Sequence, residues 1–217
     1  MTETVVDRRT QRREETRAEI VAAAWDLARE HGLAAISMRD LGARVGMRAP
    51  SVYTYFESKD AIYDAMFRQG YEQFLEWMAD AAADARDADA RVGVTPALAR
   101  ARAHAHRFFA FCTADPVRYQ LLFLRTLPGF EPSAQSYALA VRALEQGADE
   151  YAAMGITDPD ALDLSTALLT GLTSQQIAND PGGDRWERLL DRAAEMLLRE
   201  LAPDLLTDRD HPTMRRT

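Results

Sequence analysis

Apolar residues return every three to four positions along almost the whole chain, which is the period of an amphipathic helix. Ile20, Ala23, Ala24, Leu27 and Ala28 predict a first helix over about Thr16–His31, ended by Gly32. Two shorter stripes follow, Leu41 with Val45 and Val52 with Phe56, on either side of Gly46. A long helix is predicted from Lys59 to about Ala83, bearing Ile62, Met66, Phe67 and Phe74. Thr95-Pro96 opens a helix to about Ala114, and Asp115-Pro116 opens one to about Thr126. The turn-rich LPGFEP run (127–132) then breaks the pattern before Ser133 starts a helix to about Met154. Thr157-Asp158-Pro159-Asp160 begins another, which ends before Asn179. Asp184 with Glu187 resembles a capping box for a last helix reaching Leu201. No segment alternates as a strand does, so the expected class is all-α with about nine helices. No self-similarity at 20–50 residues points to a repeat array. Residues 1–15 and the polar tail are expected to be frayed or disordered.

The most informative stretch is SMRDLGARVGMRAPSVYTYFESK, Ser37 to Lys59. Ser37 stands at an N-cap with Asp40 three residues on. Gly46 permits the positive φ that often closes a helix, and Pro50 suits the first turn of the next one. Val52 and Phe56 would face inward, leaving Arg48, Ala49, Ser51, Tyr53 and Thr54 largely outward. A short helix, a glycine turn and a second helix with an Arg/Ser/Tyr/Thr face make a helix-turn-helix.

The order Ile36-Ser37, Leu41, Val45-Gly46-Met47, Val52-Tyr53, Tyr55-Phe56 and Ser58-Lys59 resembles the DNA-binding domain of TetR-family transcriptional repressors. The resemblance covers roughly residues 15–65. Three positions depart from the usual pattern: Met38 where Thr or Ser is common, Gly42 where Ala is usual, and Arg48 where a small polar residue often stands. The resemblance implies that Arg39 and Arg48 reach guanine edges, and that Ala49, Pro50 and Ser51 face bases. It assigns Ser37, Tyr53, Thr54, Tyr55 and Lys59 to phosphates, with core packing an equal reading for Tyr55. Arg8, Arg9, Arg12, Arg13 and Arg17 form a basic arm that either lies along DNA or is a solvated helix start.

Composition modifies this picture only in its distribution. The chain has 217 residues and a net charge of −8, which at first sight disfavours a DNA binder. Residues 1–60, however, hold nine Arg and one Lys against ten Asp/Glu, so the acidic excess belongs to the remainder. The single cysteine, Cys112, excludes an intrachain disulfide and a cysteine-rich zinc site. There is no apolar run of membrane-spanning length and no secretory h-region, so a cytoplasmic protein is expected. Asp80, Asp84, Asp87 and Asp89 lack the ligand order of a calcium loop and read as a frayed helix end and linker. His104 and His106, two apart on a helix, do not share a face, so no metal or cofactor is expected.

The expected domains are 1–60 for DNA, 61–203 for ligand binding and dimerisation, and 204–217 as a disordered tail. The resemblance implies a homodimer on a palindromic double-stranded operator, released by a small-molecule effector. Candidate pocket residues are Phe74, Trp77, Met78, His104 and Phe108, then Cys112, Tyr119, Phe123, Phe130 and Tyr137. Plain core packing is the competing reading for them. An apolar pocket favours a hydrophobic or aromatic effector. The helix with central Gly171 contributes Leu168, Gly171, Leu172 and Gln175 to a predicted dimer face. The last helix contributes Trp186, Leu189, Leu190, Ala193 and Leu197. An enzyme is not expected, because no nucleophile–base cluster, phosphate loop or HExxH occurs. A helical small-molecule binder without DNA function is the alternative class.

Overall fold

The computed structural model describes residues 3–88 and 94–206, with side chains over 8–79 and 94–206. Among the described residues there is no strand. Nine α-helices follow one another: α1 (Glu3–His31), α2 (Met38–Arg44), α3 (Ala49–Val52), α4 (Lys59–Ala88), α5 (Pro96–Ala114), α6 (Pro116–Phe123), α7 (Ala134–Ala153), α8 (Ala161–Asn179) and α9 (Leu190–Leu201). The chain forms two compact units. The first comprises residues up to Glu72 together with Val117–Ala140; the second comprises Gln73–Pro116 and residues from Val141 onward.

In the first unit, the predicted stripes supply the core. Ile20, Ala24 and Ala28 of α1 are fully buried, as are Leu41, Val52, Ile62 and Met66. Trp25 donates its indole N–H to Gln69 (2.8 Å), and Tyr63 donates its hydroxyl to the Leu33 carbonyl (2.6 Å). Further along α4, Tyr71 donates to the Leu122 carbonyl, while Asp64 accepts from the Ser133 N–H (2.7 Å) and from the hydroxyls of Ser133 and Ser136. That carboxylate therefore helps to satisfy the open N-terminus of α7.

In the second unit α5 packs on α8 and α9, and α8 on α9. Thr95 caps α5 by accepting from the Leu98 N–H. Ala97, Leu98, Tyr151, Met154, Ile156, Ala161 and Leu198 form a core cluster. Where α4 enters this unit, Phe74 lies edge-on to Phe108 (6.1 Å) and Phe111 (5.1 Å).

Three expectations change. α1 starts at Glu3 rather than Thr16, so the described part of the basic arm is helical. Gln11–Glu15 and Thr16–Arg12 hydrogen bonds reinforce its turns. α9 begins at Leu190, after a 3₁₀ turn at Glu187–Leu189, instead of at Asp184. Gln176 holds the intervening loop: its amide donates to the carbonyls of Asp180 and Gly183, and its oxygen accepts from the Trp186 N–H. Asp180 in turn accepts from the Arg185 N–H, so the turn is capped from α8 and not by its own Asp184. Finally, Pro203–Leu206 forms a 3₁₀ turn, and Leu205 and Leu206 pack on the α5–α9 core. The remainder of the predicted tail (207–217) and the side chains of the acidic stretch (80–93) lie outside the described residues.

The departure at Gly42 has a steric reason. A Cβ there would sit 2.8 Å from the Met47 carbonyl oxygen and 3.2 Å from the Ala49 nitrogen, both backbone atoms of the turn. Gly42→Ala should therefore lower unfolding free energy by about 1–3 kcal/mol, despite a helix-propensity gain approaching about 1 kcal/mol. Urea denaturation measures the difference, and unchanged or raised stability would show that the turn yields freely.

Candidate DNA-reading and ligand sites

The helix-turn-helix is assembled from local chemistry. The Ser37 hydroxyl accepts from the Asp40 N–H (3.2 Å) and donates to the Asp40 carboxylate (2.6 Å), closing the N-terminus of α2. Val45 caps the other end, and Gly46 takes φ +70°. The Met47 N–H then returns to the Gly42 carbonyl at 2.7 Å. Arg48 is extended and precedes α3, with Pro50 in its first turn. Only four residues of α3 are α-helical. Turns continue the coil, with Thr54 N–H to Ser51, Tyr55 N–H to Val52 and Phe56 N–H to Val52.

Cations divide into two groups here. Arg44 makes a double hydrogen bond to Glu30 (2.8 and 2.6 Å), joining α2 to α1; that contact holds the Glu30 carboxyl below its ordinary pKa. Arg13 donates to the Thr54 carbonyl (2.9 Å) and Arg17 to the Tyr55 carbonyl. Their guanidiniums also lie over the rings of Tyr55 and Phe56 respectively. Lys59 donates to the Ala34 carbonyl (2.8 Å). These four are engaged internally. Arg39 and Arg48, by contrast, are exposed and make no hydrogen bond or ion pair with any described residue. Pro50, Ser51, Thr54 and Tyr53 (54% accessible) are exposed beside them in sequence; Ser37, Ala49, Tyr55 and Lys59 are half-buried. Met38, the other unusual residue of α2, is buried.

Such a fold, with such a motif, is that of a helix-turn-helix transcriptional regulator. Residues 20–66 match the family model described as bacterial regulatory proteins, tetR family. The HTH-type transcriptional regulator Rv1816 of Mycobacterium tuberculosis is 25% identical over 222 residues, covering 94% of this chain and 89% of that one. A TetR-like transcriptional regulator from Rhodococcus sp. RHA1 superposes with a TM-score of 0.58 at 22% identity, covering 88% of this chain and 96% of that one. The transcriptional regulator FadR from Bacillus subtilis, solved with stearoyl-CoA, gives 0.60 at 17% identity over 83% and 96% of the two chains. Residues 20–66 thus carry the N-terminal region that marks the tetR family of bacterial regulatory proteins.

The ten candidate pocket residues divide between the two units. Phe74, Trp77, Met78, His104, Phe108 and Cys112 lie in the second. There, Trp77 donates its indole N–H to the Arg107 carbonyl and Phe111 stands 6.5 Å from its ring. Tyr119, Phe123, Phe130 and Tyr137 lie in the first, where Phe123 packs on Tyr71 and Phe130 on Tyr63 and Phe67. Tyr137 is exposed and Cys112 fully buried. Of the ten, only His104 lines the cavity found in the second unit. Its other walls are Ala101 and Ala105 of α5, Tyr151 of α7, Leu169 of α8, and Ala194, Leu197, Leu198 and Leu201 of α9, with Ile156 from the α7–α8 loop. Small and aliphatic residues carry no ligand-binding signature in the sequence; the Tyr151 ring is the one visible signal among these walls.

The predicted dimer face also divides. Leu190 is fully buried and Ala193 nearly so, both within the second unit; they belong to its core and offer no surface to a partner. Leu168, Leu172, Trp186, Leu189 and Leu197 are half-buried, and Gly171 and Gln175 exposed. Leu164 and Met196 are exposed at 47% and 57%.

His104 carries a stability consequence. The residue reaches the surface at one edge, but its ring is walled in by protein, and burial lowers its pKa to about 4 from an ordinary 6.5. Above pH 6.5 both folded and unfolded chains hold a neutral ring. As pH falls from 6.5 towards 4 only the unfolded chain takes up the proton, so stability falls, by up to about 3 kcal/mol. The gap between the unfolding free energies of wild type and His104→Leu should therefore change across that window and be flat above it. A gap constant from pH 7.5 to 4 would mean that the ring titrates as in free solution.

Proposed function

We propose that the protein is a homodimeric, ligand-responsive transcriptional repressor, which binds a palindromic operator in the cytoplasm and is released by a small hydrophobic or aromatic effector. The observation that carries this reading is the division of cations in the helix-turn-helix. Arg13, Arg17, Arg44 and Lys59 hold backbone or carboxylate oxygens, whereas Arg39 and Arg48 are solvated and uncommitted. Arg48 enters α3 where a guanidinium fork can reach guanine O6 and N7. Tyr53 and Thr54 suit phosphates, Lys59 keeps two of its three N–H donors for them beside its bond to the Ala34 carbonyl, and Arg8, Arg9 and Arg12 extend the cationic surface along α1.

Dimerisation has a physical reason. A one-turn recognition helix reads too few base pairs to specify a genomic site, whereas two on a common frame read a palindrome. Leu164, Leu168, Gly171, Leu172 and Gln175 of α8, with Met196 and Leu197 of α9, are the apolar and small residues left accessible for that contact. An effector with different affinities for two arrangements of the dimer would then shift operator binding without touching DNA. Binding of stearoyl-CoA by the Bacillus subtilis FadR agrees with an apolar effector class.

Selection of bound duplexes from a random library should enrich a palindrome whose affinity falls with salt. On that site Tyr53→Phe should weaken binding about three- to ten-fold for every sequence variant. Arg48→Ala should instead remove about 1–3 kcal/mol of discrimination at one base pair per half-site. Equal losses on all duplexes would take Arg48 off the base edges, and the absence of any enriched palindrome would oppose the repressor reading.

A further inference from the structure

The cavity of the second unit is alkyl-walled except for two rings. The Tyr151 hydroxyl has a polar neighbour of its own in Ser165. Ser165 donates to the Leu162 carbonyl (2.9 Å). His104 is different. It stands 6.2 Å from the Tyr151 ring and makes no hydrogen bond or ion pair with any described residue. The residue is half-buried, and a neutral imidazole at the edge of the cavity has both a donor and an acceptor to offer. The ring stays uncharged at neutral pH because burial depresses its pKa.

Charge is kept off the cavity. Arg102 pairs with Asp191 and Glu195, His106 with Asp191, and Arg199 with Glu195, and none of them lines the space. An ionised ligand group would enter with no counter-charge, which apolar walls penalise heavily. The shape adds a second restriction. The open space is narrow, with room for about one water-sized sphere. Its half-exposed members, Ala101 and His104 on α5 with Leu197 and Leu201 on α9, mark the mouth. A methylene chain can part these side chains by rotamer changes, whereas a fused ring system would have to separate the helices.

We propose that this cavity binds a slender, uncharged aliphatic molecule through one hydrogen-bonding group, received by His104. The proposal rests on the ligand-responsive reading above and names the effector class for it.

The test uses the full chain and three matched probes at pH 7.5: 1-octanol, octanoate and octylammonium, followed by thermal shift and ligand-observed NMR. Octanol should bind saturably and raise Tm, with both ions at least ten-fold weaker. His104→Leu should lose at least ten-fold in octanol affinity, and His104→Gln, which keeps a donor and an acceptor, should retain most of it. Should His104→Leu fail to fold, Ala101→Phe at the mouth should block octanol while leaving operator binding intact. Octanoate binding as tightly as octanol, octanol binding equally to wild type and His104→Leu, or no binding of any probe would each overturn the proposal. Saturable octanol binding that leaves the operator complex untouched would keep the site but defeat the regulatory reading. Operator release by an effector indifferent to His104→Leu and Ala101→Phe would do the reverse.

Discussion

Helices of seven and four residues do not stand alone in water, because nucleation costs more than so few hydrogen bonds return. α2 and α3 therefore exist only through what holds their ends and their separation. Gly42 lets the α2 backbone sit directly against the turn, where a methyl group would meet carbonyl and amide atoms. Ser37 closes one end through Asp40, and Gly46 turns the chain at the other. At the far side of α3, carbonyls that a longer helix would satisfy internally are taken by Arg13 and Arg17 from α1. Lys59 and Tyr63 do the same for Ala34 and Leu33 in the segment leading to α2. The reader is thus a set of short elements stapled by long side chains from two long helices.

That construction explains the charge pattern. Residues 1–60 are neutral overall, yet a large share of their cations serve the fold rather than a partner. Cations near helix C-termini are favoured by the partial negative charge there, so Arg13 and Arg17 stabilise the turns after α3 as well as completing hydrogen bonds. Arg39 and Arg48 have no such task. Net charge therefore underrates this region as a nucleic-acid surface, and the useful quantity is the charge left over after internal pairing.

Much of the fold was legible in sequence because it is set by local rules. The Ser37 cap, the positive φ at Gly46, Pro50 in the first turn of α3 and Thr95 before α5 all follow from spacing alone. What escaped depends on contacts distant in sequence. α1 extends back to Glu3, with Arg13 and Arg17 finding carbonyls 41 and 38 residues away. α9 starts late because Gln176, on the preceding helix, captures the loop. Leu190 and Ala193 fit an amphipathic stripe equally well whether a core or a partner covers it, and only burial distinguishes the two. The cavity was the least legible feature: its walls are alanines and leucines, which carry no chemical signature until the packing brings them around one imidazole.

That imidazole places opposing demands on one residue. A histidine whose pKa is lowered in an apolar wall makes the fold progressively less stable in acid than a leucine would. Its neighbours in the cavity wall are hydrocarbon apart from the Tyr151 ring 6.2 Å away. A ligand that hydrogen-bonds the ring would replace the solvent at its half-exposed edge, and the bond would be sheltered by apolar walls. Stability and recognition are then linked by mass action: whatever occupies the cavity selectively in the folded state stabilises that state. In this arrangement, one polar ring set among alkyl walls is the source of a preference for one polar atom on an otherwise apolar guest.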